Sequence, residues 1–245
     1  MGRSIYNTGV YDVAMTELLW RLIEPGNFVV DVGANVGYTA GISSLRAGQA
    51  GNVYAFEPNP LLLPRLKANL AKMPFTNVHL FELGLSDQKQ IGNLVLPGHY
   101  DGNQGIAYVD NAVSENAIKV PLELLDNLIP EDKPVDVMKI DVEGYELSVF
   151  KGGQGLLNNK KIKHIIFEEH HPYPSLVTEY LSRFGYSILR LEKDWFNIDL
   201  VDPSSKSGIS SFEPPNYLAT LDLTDVERKV TGLGYACLFS GFQVA

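Results

Sequence analysis

The sequence contains one cysteine, Cys237, which excludes an intrachain disulfide framework and fits a reducing compartment. Cys237 is a poor candidate nucleophile, because it sits in the apolar run Tyr235-Ala236-Cys237-Leu238-Phe239, far along the chain from the motifs described below. Positive charge is also scarce. Twenty Lys and Arg stand against 29 Asp and Glu, for a formal charge of −9 and a pI near 5.0. Phosphate backbones demand clustered basic residues, so no nucleic-acid partner is expected. The densest basic group, Lys160, Lys161 and Lys163, reads as a solvated helix end before a strand. No uninterrupted apolar stretch is long enough to span a membrane, and residues 1–10 lack the apolar region of a signal peptide. Position 6 is tyrosine, so Gly2 does not satisfy a myristoylation pattern. The expectation is a cytoplasmic chain with no membrane partner. Repeats, low-complexity segments and linkers are absent as well, so residues 1–245 read as a single domain.

What is present begins at Phe28-Val29-Val30-Asp31-Val32-Gly33-Ala34-Asn35-Val36-Gly37. The short β-branched run reads as a buried strand, the glycines permit a tight turn, and Tyr38 to Ala47 reads as a helix. A strand–turn–helix start of this kind is where nucleotide-like cofactors bind. A second strand, Asn52–Phe56, ends in Glu57, whose carboxylate can accept hydrogen bonds from both ribose hydroxyls of an adenosine. The dinucleotide fingerprint G-x-G-x-x-G is missing: the middle glycine is replaced and the third is displaced. Acid-x-Gly-x-x-x-Gly suits S-adenosylmethionine better, since that ligand has no phosphate and carries an amino-acid end. The bland alternative is a tight turn that binds nothing, and Glu57-Pro58-Asn59-Pro60, standing where the second contact belongs, argues against it.

Along the chain, strand and helix patterns alternate. Residues 12–24 form an amphipathic helix expected to pack on or cover the cofactor pocket. After the first two strands come a helix over 58–73, strands at 77–83 and 135–140, a helix over 143–157, a strand at 162–167, a helix over 176–184, and strands at 186–191 and 217–223. Successive βα steps indicate a doubly wound, mostly parallel α/β sheet with helices on both faces. Two polar segments break the rhythm. Residues 91–119 read as a functional loop or a β-hairpin widening the sheet. Residues 194–215, with Trp195, Phe196 and Phe212, read as an acceptor-substrate wall.

Two further motifs carry chemistry. In Met138-Lys139-Ile140-Asp141-Val142-Glu143-Gly144-Tyr145-Glu146, Asp141 ends a strand and points its carboxylate into the crevice. There it can hold a cofactor amino group, orient a hydroxyl or take its proton. Glu143 and Glu146 read as first-turn acids favoured by the helix dipole. In Phe167-Glu168-Glu169-His170-His171-Pro172, period-two alternation carries Glu168 with His170, or Glu169 with His171, to one side. Such a pair can act as a general base. A polar strand end is the plain alternative. A divalent metal shared with Asp141 is a weaker reading, because no closely spaced ligand set is diagnostic.

Taken in order, Asp31–Gly37, Phe56-Glu57-Pro58-Asn59-Pro60, Gly84-Leu85-Ser86-Asp87 and Lys139–Glu146, followed by Lys151-Gly152-Gly153, Ile166–His170 and Gly185-Tyr186, resemble the FkbM family of S-adenosylmethionine-dependent methyltransferases. The resemblance covers about residues 25–222 and implies a seven-stranded, Rossmann-like class I methyltransferase sheet with its last strand antiparallel. It implies that Asp31, Gly33, Asn35 and Gly37 hold the methionine part of the cofactor, and that Glu57 takes the ribose. Asn59 would then lie near the adenosine, Ser86 and Asp87 would flank the adenine edge, and Asp141 would stand at the cofactor–substrate junction. Glu168 and His170 match the family's acid and histidine after the fifth strand. Gly84 departs from the family's usual alanine. Residues 223–245 have no family counterpart and read as an added helix and strand, or as a homo-oligomer contact.

The activity implied is O-methylation of a sugar or small natural-product hydroxyl, with S-adenosylhomocysteine as product; a divalent metal is not favoured, and a hydroxyl nucleophile needs a proton acceptor, the role assigned to Asp141 or His170. Two rivals share parts of the pattern. A nicotinamide-dependent oxidoreductase would keep the sheet and Glu57. A non-catalytic adenosine-binding module would need neither Asp141 nor His170.

Overall fold

The computed structural model describes residues 10–96, 108–110, 117–205 and 214–239. Helix α1 (Val13–Leu22) precedes β1 (Phe28–Val32), α2 (Tyr38–Ala47), β2 (Asn52–Phe56), α3 (Leu63–Leu70) and β3 (Val78–Phe81). Next come β4 (Gly84–Leu85), β5 (Gln90–Val95), β6 (Tyr108–Asp110) and β7 (Ile118–Glu123). The chain continues through β8 (Val135–Ile140), α4 (Glu146–Gly152), α5 (Gln154–Asn158), β9 (Ile162–Glu168) and α6 (Leu176–Arg183). It closes with β10 (Ser187–Lys193), β11 (Ile198–Val201), β12 (Asn216–Thr220), α7 (Leu223–Val230) and α8 (Ala236–Phe239).

The main sheet runs β11-β10-β12-β9-β8-β1-β2-β3. Strands β3, β2, β1, β8 and β9 are mutually parallel, and β12 enters antiparallel between β9 and β10. This is the expected doubly wound sheet with one strand more. The eighth, β11, pairs antiparallel with β10 and is built from the segment read as an acceptor wall. Trp195 and Phe196 occupy the turn between these strands and are 92% and 75% exposed, while the Asp194 carboxylate accepts from the amides of Phe196 and Asn197. Phe212 lies outside the described residues.

Alternation along the strands splits the core in two. Val29, Val137, Ile166 and Leu218 face α1, α2 and α3, whereas Val30, Met138, Ile165, Phe167 and Ala219 face α4, α5 and α6. Helix α1 is capped by Asp12, whose carboxylate accepts from the amides of Ala14 and Met15. It buries Leu18, Leu19 and Leu22 completely, each contributing roughly 1.5–3 kcal/mol.

Other boundaries moved for local reasons. Residues 91–119 contribute to a separate sheet, β4-β7-β5-β6, with a small core of Leu94, Val120 and Leu122, and do not widen the main one. Of that segment, 97–107 and 111–116 lie outside the described residues. The helix expected over 143–157 starts at Glu146, because Glu143 (φ 54°) and Gly144 (φ 90°) form a left-handed turn, and it breaks at Gly153. Glu143 is therefore not a first-turn acid, whereas Glu146 is. Lys163 is not a solvated helix end. Its ammonium lies 2.7 Å from Asp225 and 3.3 Å from Asp222, and with His164 it ties α7 to β9.

Candidate active site

The register of the parallel strands assembles the site. Asp31 pairs with Lys139 across β1 and β8, and Asn216 pairs with Glu168 across β12 and β9. Asp31 shares a face with Val29, Lys139 with Val137, Glu168 with Ile166 and Asn216 with Leu218. The apolar surface beneath α1 thus turns charged at the carboxyl edge of the sheet, where ligands of open α/β sheets bind.

A cleft of about 130 Å³ opens there, lined by Asp12, Met15 and Thr16 of α1 and its cap, Gly33, Ala34 and Asn35 of the first turn, and Tyr38 and Thr39 of α2. Lys139, Asp141, Glu168, Pro214, Asn216 and Tyr11 complete the wall. Helix α1 covers the pocket, as its amphipathic pattern implied. The Thr16 and Tyr38 hydroxyls meet at 2.9 Å, and Asn216 donates to Asp12 at 3.2 Å.

The first turn needs its glycine. Gly33 has φ 79°, and a Cβ there would stand 2.0 Å from the Asp141 carbonyl oxygen. Gly33 and Ala34 donate to the Phe56 carbonyl, so the turn is laced to the end of β2. There Glu57, 6% exposed, accepts from the amide of Asn35 at 2.7 Å and that of Asn59 at 2.9 Å, one on each oxygen. Each oxygen keeps a lone pair for a ligand hydroxyl. Burial pushes the Glu57 carboxyl up to about 7, against the pull of these two amides. Asn59 itself is buried and turns its side-chain oxygen to the amide of Leu61.

Asp31 is fully buried beneath the cleft floor. Its Oδ2 accepts from Thr39 at 2.7 Å, while Oδ1 has no hydrogen-bond partner. Lys139, a residue to which the sequence reading gave no role, stands between the acids. Its ammonium donates to the Gly33 carbonyl at 3.1 Å and lies 3.6 Å from Asp31 and 3.5 Å from Asp141. Burial drives the Lys139 pKa down, but Asp141 and Asp31 outweigh it and hold the amine charged. The sequence signal was available: a lysine inside an apolar strand, two positions before Asp141 and so on the same face.

Glu168 lines the cleft and is pushed up to about 8, first by burial, then by the charges of Asp141, Glu143 and Glu146. Its neighbours do not follow the period-two expectation, because β9 ends at Glu168. Glu169 turns inward to accept from Ser175 at 2.5 Å and from the amide of His171 at 3.0 Å. His170 is exposed and is not among the residues lining the cleft. Glu146 closes its own turn, accepting from the amides of Val142 and Gly144. Ser86 is buried against Tyr145, whose hydroxyl is 3.1 Å away, with Asp87 at 3.2 Å on its other side. Gly37, with φ 87°, packs on Leu66. Among the described residues no group of three or more His, Cys, Asp or Glu is arranged to hold a metal ion, and no helix is long and apolar enough to cross a membrane.

The acidic side chains on the cleft wall suit the sulfonium and ammonium of an S-adenosylmethionine-type ligand, whereas Glu57, Asn59, Ser86 and Asp87 are not among the residues lining the cleft. Comparison with known proteins agrees. The family model of the methyltransferase FkbM domain matches residues 31–188. The chain is 33% identical over 183 residues to the hexuronic acid methyltransferase AglP of Haloferax volcanii, covering 72% of this chain and 71% of that protein. It is 26% identical over 226 residues to methyltransferase sdnD of Sordaria araneosa, covering 79% and 83%. A putative rRNA-methylase from Clostridium thermocellum shares the fold, with a TM-score of 0.51 at 12% identity over 84% of this chain and 92% of that one.

Proposed function

The chain belongs to the FkbM family of S-adenosylmethionine-dependent methyltransferases, and we propose that it O-methylates a hydroxyl group of a sugar or small natural-product acceptor. The observation that carries this reading is the presence of two acids, Asp141 and Glu168, on the wall of one cleft, with Lys139 between Asp31 and Asp141. The cofactor supplies an activated methyl group, so the residues need mainly to align the acceptor and manage one proton. Lys139 gives Asp141 a counter-charge 3.5 Å away, which suits Asp141 to accept the hydroxyl proton. Glu168, with its pKa raised to about 8, is protonated at neutral pH and suits the donor role, holding the acceptor oxygen in place. Asp31, the Gly33–Gly37 turn, Glu57 and Asn59 are the proposed cofactor residues, with Ser86 and Asp87 at the adenine edge. The named sugar substrate of the AglP relative supports a carbohydrate acceptor, and the formal charge of −9 favours a neutral or cationic one.

The test is a methyl-labelled S-adenosylmethionine assay against neutral sugars, uronic acids and amines, with the product bond assigned by NMR. A methyl ether is expected. Asp141→Asn should lower turnover about 10²- to 10⁴-fold, the usual worth of a general base, with S-adenosylhomocysteine still bound. A methyl ester, an N-methyl product, or full turnover in Asp141→Asn would overturn the assignment.

A further inference from the structure

We propose that Glu17 and Arg21 are positioning residues through which the C-terminal segment, residues 223–239, holds α1 in place as a wall of the cofactor cleft. The inference rests on the cleft being the cofactor site. Helix α1 and the C-terminal segment both lie outside the family match at 31–188, yet they are joined to each other by a buried charged cluster. Asp12, Met15 and Thr16 look into the cleft, while Glu17 and Arg21 turn to the chain's far end. The Glu17 side chain is 0% exposed and that of Arg21 6%. One Glu17 oxygen accepts from the amide of Ala236 at 2.9 Å and from Arg21 Nε at 2.5 Å, and the other accepts from the amide of Cys237 at 2.8 Å. Arg21 in turn donates to the carbonyls of Val230 at 2.5 Å and Gly234 at 2.6 Å. Lys229 reaches back to the Leu22 carbonyl at 3.0 Å, and Tyr235 fastens the segment to Asp194 and Asn197.

This cluster is placed to act on the cleft. Thr16 and Glu17 are consecutive residues on one helix, so any rotation of α1 that relaxes the Glu17 contacts also moves the Thr16 hydroxyl off Tyr38 and Asp12 off Asn216. Burial alone would raise the Glu17 carboxyl, but the amides of Cys237 and Ala236 together with Arg21 hold it below its ordinary value. The cluster therefore stays ionised across neutral pH.

The experiment uses the full chain and two mild variants, Glu17→Gln and Arg21→Lys. Leu181→Ala, at a buried position of α6 on the opposite face of the sheet, serves as a control for general destabilisation. The dissociation constant of S-adenosylhomocysteine and the KM for S-adenosylmethionine should rise about tenfold in the two variants. Their kcat at saturating cofactor should stay within about twofold, the signature of lost binding without lost chemistry. The control should lose melting temperature without this split. Equal affinities in variants and wild type, or an equal loss in the control, would overturn the proposal. A measurement on the wild type covers failure of the variants to fold: by reciprocity of coupling, saturating S-adenosylhomocysteine should slow hydrogen exchange at the amides of Ala236 and Cys237. Cofactor binding with unchanged exchange there would refute the brace alone. Absence of cofactor binding to the wild type would instead refute the pocket reading beneath it.

Discussion

Glu57 holds two backbone amides in an almost closed environment and still titrates near neutrality, with burial pushing it up to about 7. Its folded value lies above the ordinary carboxylate value, so the folded state binds the extra proton. The stability this gives is complete below about pH 4.5 and is lost as pH rises through 7. With 1.36 kcal/mol per unit, the wild type should lose about 2 kcal/mol between pH 5 and 7.5 relative to Glu57→Gln, in denaturant titrations at the two pH values. A parallel pH dependence in both proteins would contradict that environment. Residues of this kind were legible in the sequence because each closes a strand or turn: Asp31, Gly33, Glu57 and Asp141 sit where the strand pattern stops. For Lys139 the spacing to Asp141 was legible and passed over, whereas its contact with Asp31 is shown only by the β1–β8 register. Glu169 was misjudged for the opposite reason, since the strand ended one residue too early for alternation to apply to it.

Among the elements, the first turn is the one whose sequence admits least change. Gly33→Ala must find room for a Cβ 2.0 Å from the Asp141 carbonyl, in a backbone conformation already unfavourable to alanine. Gly144 has a similar positive φ of 90° but nothing within 4 Å of the added carbon. Gly144→Ala should therefore cost about 1–2 kcal/mol, the left-handed penalty alone. Gly33→Ala should cost more than that and abolish cofactor binding. Thermal melts and S-adenosylhomocysteine titrations of the pair test the contrast, and equal losses would show that the close approach to Asp141 has no consequence. Strands β1, β2 and β8 and helix α2 fell where the sequence put them, because Gly, Pro or acidic residues punctuate both ends. Strand β10 was legible, but β11 and the separation of the four-stranded sheet from the main one were hidden. β11 has four residues and β4 two, and which sheet they join is decided by partners rather than by period.

At the scale of the whole molecule, the two faces of the sheet do different work. One is closed by α4, α5 and α6 over an apolar core. The other carries α1 across a surface that becomes charged at the carboxyl ends of β1, β8 and β9. The family motifs account for that charged edge, whereas α1, which lines it, and residues 223–239, which contact α1, lie beyond them. The added helix expected after residue 222 is α7, but α8 stands among the described residues where a strand was expected. The central claim is that this edge is an adenosyl pocket anchored by Glu57. Calorimetric titration of S-adenosylhomocysteine and of NAD into the wild type and Glu57→Ala tests it most directly. S-adenosylhomocysteine should bind and NAD should not, and the alanine variant should bind S-adenosylhomocysteine about tenfold or more weakly, a loss of at least about 1.4 kcal/mol. Tight NAD binding, no binding of S-adenosylhomocysteine, or undiminished affinity in Glu57→Ala would contradict it.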